Sequence, residues 1–171
     1  MKSLNQHYYF AYGSNMNPDR VSLRNVKFDF IESGTLSGFY LAFNKRSVAY
    51  PGAAAANIMK ESENAFYENT RSVEGLIYHL TDENQIEMMD PFEGYPIRYD
   101  RIQVEVQTPN TVRLVWTYMA NIDYIQENLK PNKWYLDHLL AGRPYLSKSY
   151  YDQLNQTICL PDSNIELPSP N

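Results

Sequence analysis

The sequence predicts an α+β fold made of many short strands with a few inserted helices. Segments rich in aromatic and β-branched residues recur along the chain, and turns that contain glycine or proline separate them. Ile97–Gln107 and Thr111–Tyr118 flank a turn at Pro109-Asn110 and predict a long antiparallel hairpin, which argues against a doubly wound parallel sheet. No internal repeat or linker divides the 171 residues. We therefore expect one domain over residues 1–160, with its strands in a closed or semi-closed barrel, and a loose tail over 161–171 that contains three prolines.

The first strand is predicted at His7–Tyr12, where the sequence is aromatic and ends at a glycine. A short helix follows, because Asn17 can cap it, Pro18 suits its first turn and Asp19 lies at the positive end of its dipole. Further strands are predicted at Lys27–Ile31, Gly38–Phe43, Ala53–Met59 and Val73–Leu80, with a polar loop at Lys60–Arg71.

The second half of the chain adds three predicted helices around the hairpin. Thr81 is expected to cap the first of them, since acidic residues follow it, and Pro91 is expected to stop it. The other two helices are predicted at Asn132–Leu140 and Ser147–Leu154, separated by Gly142-Arg143-Pro144.

The charge of the chain excludes several classes of partner. Fifteen Lys and Arg residues against twenty Asp and Glu residues give a net charge of −5, and no basic cluster stands out. Such a chain is poorly suited to nucleic-acid phosphates, and it has no basic amphipathic stretch for a membrane surface. No apolar run reaches the roughly 18 residues that span a bilayer, and Met1–Gly13 does not resemble a secretory leader, so we expect a cytoplasmic protein.

Metal-binding patterns are also missing from the sequence. One cysteine, Cys159, excludes an internal disulfide and a cysteine-based zinc cage. His7, His79 and His138 are far apart in the sequence and form no HExxH pair. The sequence therefore predicts no metal site.

The bend at Tyr12-Gly13-Ser14-Asn15 is the first candidate for a functional site. A glycine at a strand end, followed by small polar residues and a helix, exposes backbone N–H groups that can converge on an anion or a polarised carbonyl oxygen. The alternative is an ordinary tight turn, because Gly, Ser and Asn are common turn residues.

Glu93 is the second candidate, in a stretch rich in rings and prolines between Pro91 and Tyr99. Desolvation by such neighbours would raise the pKa of Glu93 toward the range of a useful general acid or base. The alternative is a solvent-exposed loop glutamate. Tyr12, Tyr99 and Tyr135 lie near the candidate segments and suit a pocket wall, although core packing is the alternative for each.

These segments together resemble the gamma-glutamylcyclotransferase-like family. Tyr8–Met16 (YYFAYGSNM) resembles its opening strand and loop, and Ala55–Ile58 and Val73–Tyr78 look like its central strands. Asp90–Gly94 looks like the segment that carries its catalytic glutamate. The resemblance extends in order over about residues 7–155, and the loop together with the Glu-Gly pair is more specific than either motif alone.

The resemblance implies a small mixed β-barrel flanked by helices, with a cavity beside the first loop. It implies an activity without cofactor or metal, in which the α-amine of a γ-glutamyl group attacks its own γ-amide carbonyl. The products would be 5-oxoproline and a free amino acid or amine. Glu93 would move protons between the two nitrogens, and the backbone amides of Gly13, Ser14 and Asn15 would bind the substrate.

The resemblance also suggests roles for three tyrosines and for the substrate. Tyr12 would wall the pocket, Tyr135 resembles a pocket tyrosine of the family, and Tyr99 is a second candidate of that kind. Asn15 followed by Met16 favours γ-glutamyl-amino acids, because the glutathione-specific branch usually has Tyr-Gly-Ser-Leu and the γ-glutamylamine branch Tyr-Gly-Thr-Leu.

Other hypotheses remain open from the sequence. Arg46–Ala56 and Lys60–Arg71 match no segment of the family, so the leaving group is undetermined. A small-molecule-binding module of the same fold without turnover is one alternative. A cyclotransferase acting on γ-glutamylamines, or on another γ-glutamyl intermediate such as one on a carrier protein, is another. The family and the aromatic content are compatible with a homodimer.

Overall fold

The computed structural model describes residues 7–62 and 70–167. Over these residues the chain forms seven β-strands and four α-helices, so the α+β class is confirmed. In chain order they are β1 (His7–Ala11), α1 (Pro18–Leu23), β2 (Phe28–Ser37), β3 (Phe39–Arg46), β4 (Ala54–Lys60), β5 (Ser72–Leu80), α2 (Gln85–Glu93), β6 (Tyr99–Gln107), β7 (Val112–Ala120), α3 (Lys133–Leu140) and α4 (Lys148–Asn155).

Five strands close into a mixed barrel in the order β1-β5-β2-β6-β7, which confirms the barrel prediction. The pairs β1–β5, β5–β2 and β6–β7 are antiparallel along most of their length, and β6–β7 is the hairpin predicted from the sequence. The barrel closes where β7 runs parallel to β1, at the pair Tyr9–Trp116. β2 and β6 pair only at Thr35–Gln107. The strands β3 and β4 form a separate two-stranded sheet.

The barrel strands supply most of the hydrophobic core. Phe10, Leu76, Ile77 and Tyr78 are fully buried, because successive residues of β1 and β5 are covered on both faces of the sheet. Gly75 allows the two strands to approach closely, since a Cβ there would lie 2.8 Å from the Phe10 ring. The covered faces explain why these strands read as continuous apolar and aromatic runs rather than as alternating ones.

The first helix begins as predicted, since the Asn17 side chain accepts a hydrogen bond from the Asp19 amide at 3.1 Å. The prediction for α2 is wrong at both ends. Thr81 does not cap it, because the Thr81 hydroxyl donates to Asp82 and the helix begins at Gln85.

Pro91 also fails to stop α2, which continues to Glu93. A proline lacks one helical N–H, and near the last turn the cost of that single missing bond is small enough for the helix to continue. The helix ends because Gly94 takes a left-handed conformation, with φ of 71°. Glu93 is therefore the last residue of a helix and not part of a free loop.

The remaining expectations fall partly outside the described residues. Most of the predicted loop Lys60–Arg71 lies there, between β4 and β5. Residues 161–167 form no helix or strand, but Ser163 accepts hydrogen bonds from the amides of Lys133 and Trp134 at the start of α3. The domain boundary at residue 160 stays a prediction. In the part of the chain that the structure describes, no helix is long and apolar enough to cross a membrane.

Candidate active site

The bend after β1 leads directly into a buried turn of 3-10 helix at Ser14–Met16. Asn15 is only 3% exposed, and its backbone carbonyl accepts a hydrogen bond from the Tyr78 hydroxyl at 2.6 Å. Gly13 lies against the opposite wall, since a Cβ there would be 3.3 Å from the Tyr135 hydroxyl. The bend is thus packed into the protein rather than exposed as a surface turn.

The Asn15 side chain holds the Glu93 carboxylate. Its amide nitrogen donates to Glu93 Oε1 at 2.9 Å and to the Tyr9 hydroxyl at 2.8 Å. Its carbonyl oxygen accepts from Arg24 Nη1 at 2.8 Å, and the same guanidinium atom lies 3.8 Å from Glu93 Oε1. Among the described residues Glu93 Oε2 makes no hydrogen bond, so one carboxylate oxygen is anchored and the other is available.

The groups around Glu93 shift its pKa in opposite directions. Burial raises the pKa of Glu93, while the Arg24 guanidinium, the Asn15 amide and the Lys45 ammonium lower it. Burial wins, so the pKa lies above that of an ordinary glutamate. A carboxyl group with a raised pKa can both accept and return a proton near neutral pH.

Two tyrosines hold β4 against the bend through its residue Ala56. The Tyr135 hydroxyl accepts a hydrogen bond from the Ala56 amide at 2.9 Å. The Tyr99 hydroxyl donates to the Ala56 carbonyl at 2.7 Å. Because the Tyr135 oxygen accepts from this amide and donates to none of the described residues, its proton is available to a ligand.

Tyr9, Tyr12 and Tyr118 complete this part of the site, and all three are buried. The Tyr12 hydroxyl donates to the Tyr118 carbonyl, and Tyr9 accepts from Asn15. Burial raises the pKa of Tyr9, Tyr12 and Tyr99 well above the usual value, and the pKa of Tyr135 is also raised. The phenols are therefore neutral and act as hydrogen-bonding groups.

Two cavities adjoin each other at the Glu93 side chain. The inner cavity has a volume of about 30 Å³ and the outer one about 300 Å³. All seven residues proposed from the sequence line the inner cavity: Tyr12, Gly13, Ser14, Asn15, Glu93, Tyr99 and Tyr135. Four of them, Ser14, Glu93, Tyr99 and Tyr135, line the outer cavity as well and mark the junction.

The structure adds cavity residues that the sequence analysis missed. Tyr9 and Tyr118 line the inner cavity, and Arg24, Lys45 and Arg98 line the outer one. Tyr9 lies in β1, three residues before Tyr12, so the aromatic sequence of this strand could have identified it. No local pattern marks the three cations, because lysines and arginines are ordinarily solvated.

Nothing among the described residues suggests a metal centre, since no three His, Cys, Asp or Glu side chains lie close enough to hold a metal ion. The groups that line the two cavities are the carboxylates of Glu93 and Glu166, neutral phenols, backbone amides and side-chain cations.

Comparisons with known proteins agree with this architecture. One solved structure, described as a gamma-glutamyl cyclotransferase, superposes with a TM-score of 0.76 at 20% identity, covering 96% of this chain and 94% of its own. An uncharacterized protein from Homo sapiens has a TM-score of 0.74 at 23% identity, with 91% and 90% covered. A yeast gamma glutamyl cyclotransferase specific to glutathione has a TM-score of 0.65 at 15% identity, with 87% and 93% covered. These likenesses show a shared fold.

The family assignment comes from the sequence itself. No curated protein matches the chain. Residues 9–137, which include the bend, the Glu93 segment and Tyr135, match the family described as gamma-glutamyl cyclotransferase, AIG2-like. That match spans more than half of the chain and follows the order of the elements described above. The chain belongs to the gamma-glutamyl cyclotransferase, AIG2-like family.

Proposed function

We propose that this protein is a γ-glutamylcyclotransferase that converts a γ-glutamyl-amino acid into 5-oxoproline and a free amino acid. The observation that carries the proposal is the position of Glu93. Its carboxylate lines the same cavity as the bend after β1, with Oε1 held by Asn15 and Oε2 without a hydrogen bond among the described residues. Family membership and the fold shared with cyclotransferases support the same reaction.

Glu93 acts as the single proton carrier in this proposal. Its Oε2 takes a proton from the substrate's α-ammonium, and the neutral amine then attacks the γ-amide carbonyl to close the five-membered ring. The carboxylic acid returns this proton to the amide nitrogen, and the regenerated carboxylate takes the second proton from the ring nitrogen. The oxyanion then reforms the carbonyl as the C–N bond breaks, and the released amino group takes that second proton, which leaves 5-oxoproline and a free amino acid. Base and acid are the same group in turn, so a raised pKa suits both steps.

The Tyr135 hydroxyl and the bend stabilise the oxygen that becomes negative. Tyr135 accepts from the Ala56 amide, which polarises its O–H bond toward a ligand at the junction of the cavities. A donor of this kind costs no reorganisation during the reaction, because the fold already holds it in place.

The cavity sizes suggest how the substrate lies. The inner cavity of about 30 Å³ accommodates a small group such as a carbonyl oxygen or an amine, whereas the outer cavity of about 300 Å³ accommodates the rest. Because both reacting groups belong to one molecule, the main task of the site is to hold the γ-glutamyl chain folded. We place the reaction in the cytoplasm, where a single unpaired cysteine, Cys159, stays reduced.

A substrate panel tests the proposal. The purified protein is incubated with γ-glutamyl dipeptides, glutathione and γ-glutamyl-lysine, and 5-oxoproline and the released amine are quantified by mass spectrometry. We expect equal amounts of both products from at least one γ-glutamyl-amino acid, and none with Glu93→Gln. Binding of these compounds without 5-oxoproline would instead support a non-catalytic module of the same fold.

A further inference from the structure

The outer cavity contains more positive than negative charge. Its two acidic side chains are each matched to an arginine: Arg24 lies 3.8 Å from Glu93, and Arg20 lies 3.7 Å from Glu166. Two further cations, Lys45 and Arg98, line the same cavity. Within residues 7–62 and 70–167 the side chains of these two form no ion pair and no hydrogen bond.

Lys45 is buried to a degree that is unusual for a lysine without a carboxylate partner. It is only 6% exposed, and its ammonium lies 5.4 Å from the centre of the Tyr99 ring and 5.9 Å from that of Tyr124. The reason lies in β3, where a bulge between Ala42 and Lys45 shifts the register against β4. An extra residue of this kind re-aims the side chains that follow it, and Asn44 and Lys45 are consecutive buried positions.

The second cation, Arg98, packs against the backbone at the end of α2. Arg98 lies over Gly94, where any side chain would collide with the guanidinium group. Burial of Lys45 and the proximity of Arg98 lower the pKa of Lys45 to about 8, although the Glu93 carboxylate raises it. Two neighbouring cations that form no ion pair among the described residues are costly in a partly buried cavity, so the arrangement is suited to bind an anion.

The charges of the proposed substrate identify that anion. A γ-glutamyl end carries one ammonium and one carboxylate, so it adds no net charge to a cavity where Glu93 and Glu166 are already matched. An amine leaving group would add none either. A leaving amino acid adds a carboxylate, and this charge offsets one of the two surplus positive charges of Lys45 and Arg98.

We propose that Lys45 and Arg98 form a subsite for the carboxylate of the leaving amino acid, so that the enzyme selects γ-glutamyl-amino acids over γ-glutamylamines. This subsite rests on the proposed function, and its two residues would bind the leaving group of that reaction. Lys45 and Arg98 line the outer cavity and not the inner one, which places them on the leaving-group side of Glu93.

Two unreactive compounds test the subsite without turnover. N-glutarylglycine is γ-glutamylglycine without the α-amine, so it cannot cyclise, and N-glutarylglycinamide differs from it only by a carboxamide in place of the second carboxylate. Their affinities are measured by calorimetry at pH 7. We expect the acid to bind at least about tenfold more tightly than the amide, because only the acid brings a second carboxylate to the two cations.

Variants then locate the source of the preference. The ratio of the two affinities should fall to within about twofold in the Lys45→Met/Arg98→Met double variant, while the Lys148→Met control, at an exposed position outside the cavity, should keep it. Thermal melting of each variant verifies that it folds. The proposal is overturned if the acid does not bind, if the wild type binds both compounds equally, or if the double variant keeps the preference. It is also overturned if the double variant loses affinity for both compounds to the same extent, because the cations would then bind the glutaryl carboxylate.

The outcomes separate this subsite from the proposed reaction. Preference for the acid in a protein that forms no 5-oxoproline would retain the subsite and reject the reaction. Formation of 5-oxoproline without preference for the acid would retain the reaction and reject the subsite.

Discussion

The side-chain amide of Asn15 donates a hydrogen bond to Glu93 Oε1 at 2.9 Å and so joins the bend after the first strand to the last residue of α2. The side-chain oxygen of Asn15 in turn accepts a hydrogen bond from Arg24 at 2.8 Å. Asn15 therefore positions the carboxylate as well as contributing to the bend. Mutations in this network should therefore change the pKa and the position of the Glu93 carboxylate.

Replacing Glu93 by Gln should abolish proton transfer without unfolding the protein. Gln keeps an acceptor for the Asn15 amide but cannot carry a proton between the nitrogens, so we expect kcat for 5-oxoproline formation to fall by about 10²–10⁴-fold. Melting temperature should be unchanged or higher at neutral pH, because the raised pKa of Glu93 means that the fold disfavours the ionised carboxylate. Glu87→Gln, at an exposed position of the same helix, is the matched control. Near wild-type turnover in Glu93→Gln would disprove the assignment.

The pH dependence of the reaction should respond to Arg24. The Arg24 guanidinium lowers the pKa of Glu93 against the effect of burial, so Arg24→Gln should raise this pKa further. The acid limb of kcat/KM, which reports ionisation of the base in the free enzyme, should then move to higher pH. Arg143→Gln, outside both cavities, should leave the limb in place. A shift to lower pH, or none, would show that Glu93 does not set this limb.

The Tyr135 hydroxyl should matter for both stability and rate. In Tyr135→Phe the buried amide of Ala56 loses its acceptor, which costs about 1–3 kcal/mol and lowers the melting temperature by several degrees. The loss of a donor to the developing oxyanion should lower kcat by about 10²–10³-fold. Tyr151→Phe serves as the control, away from both cavities. A variant that is less stable but fully active would make the hydroxyl purely structural.

Lys45 should reduce the stability of the ligand-free protein in a pH-dependent way. Its pKa is about 8 in the fold and 10.5 as the ordinary value, so between these pH values the unfolded chain binds more protons. Stability of the wild type relative to Lys45→Met must therefore rise with pH across that window. Burial and the neighbours Arg98 and Arg46 lower this pKa, while Glu93 raises it.

Melting curves of the two proteins from pH 7 to pH 10 measure this effect. We expect Lys45→Met to melt at a higher temperature at pH 7 and the difference to shrink as the pH rises. A difference that stays constant across this range would mean that the Lys45 ammonium is not destabilised by the fold.

The segment after residue 162 should stabilise α3. Ser163 accepts from the amides of Lys133 and Trp134, which are unpaired N–H groups at the start of that helix. Truncation after residue 162 should cost about 1 kcal/mol, or about 2–4 °C in melting temperature. Truncation after Leu167 keeps these contacts and is the control. An unchanged melting temperature in the shorter protein would support the loose tail expected from the sequence.

The sequence alone was sufficient to predict the order of the elements and seven of the residues that line the inner cavity, although it did not identify Tyr9 and Tyr118. Strands, turns and N-caps such as Asn17 depend on local chemistry, and the bend and the Glu93 segment are contiguous motifs that resemble those of a family. The end of α2 was mispredicted because a proline near the last turn is compatible with a helix when a glycine follows in the left-handed conformation. Local propensity decides such a competition only weakly.

Only the tertiary structure decided how these residues act on one another. Contact between Asn15 and Glu93 depends on the packing of α2 against the start of the chain. The cationic outer cavity depends on a strand bulge at Lys45 and on the packing of Arg98 over Gly94. Charged side chains have no local preference for a cavity, since their burial is determined by the surrounding elements, and their role therefore emerges only when the chain is folded.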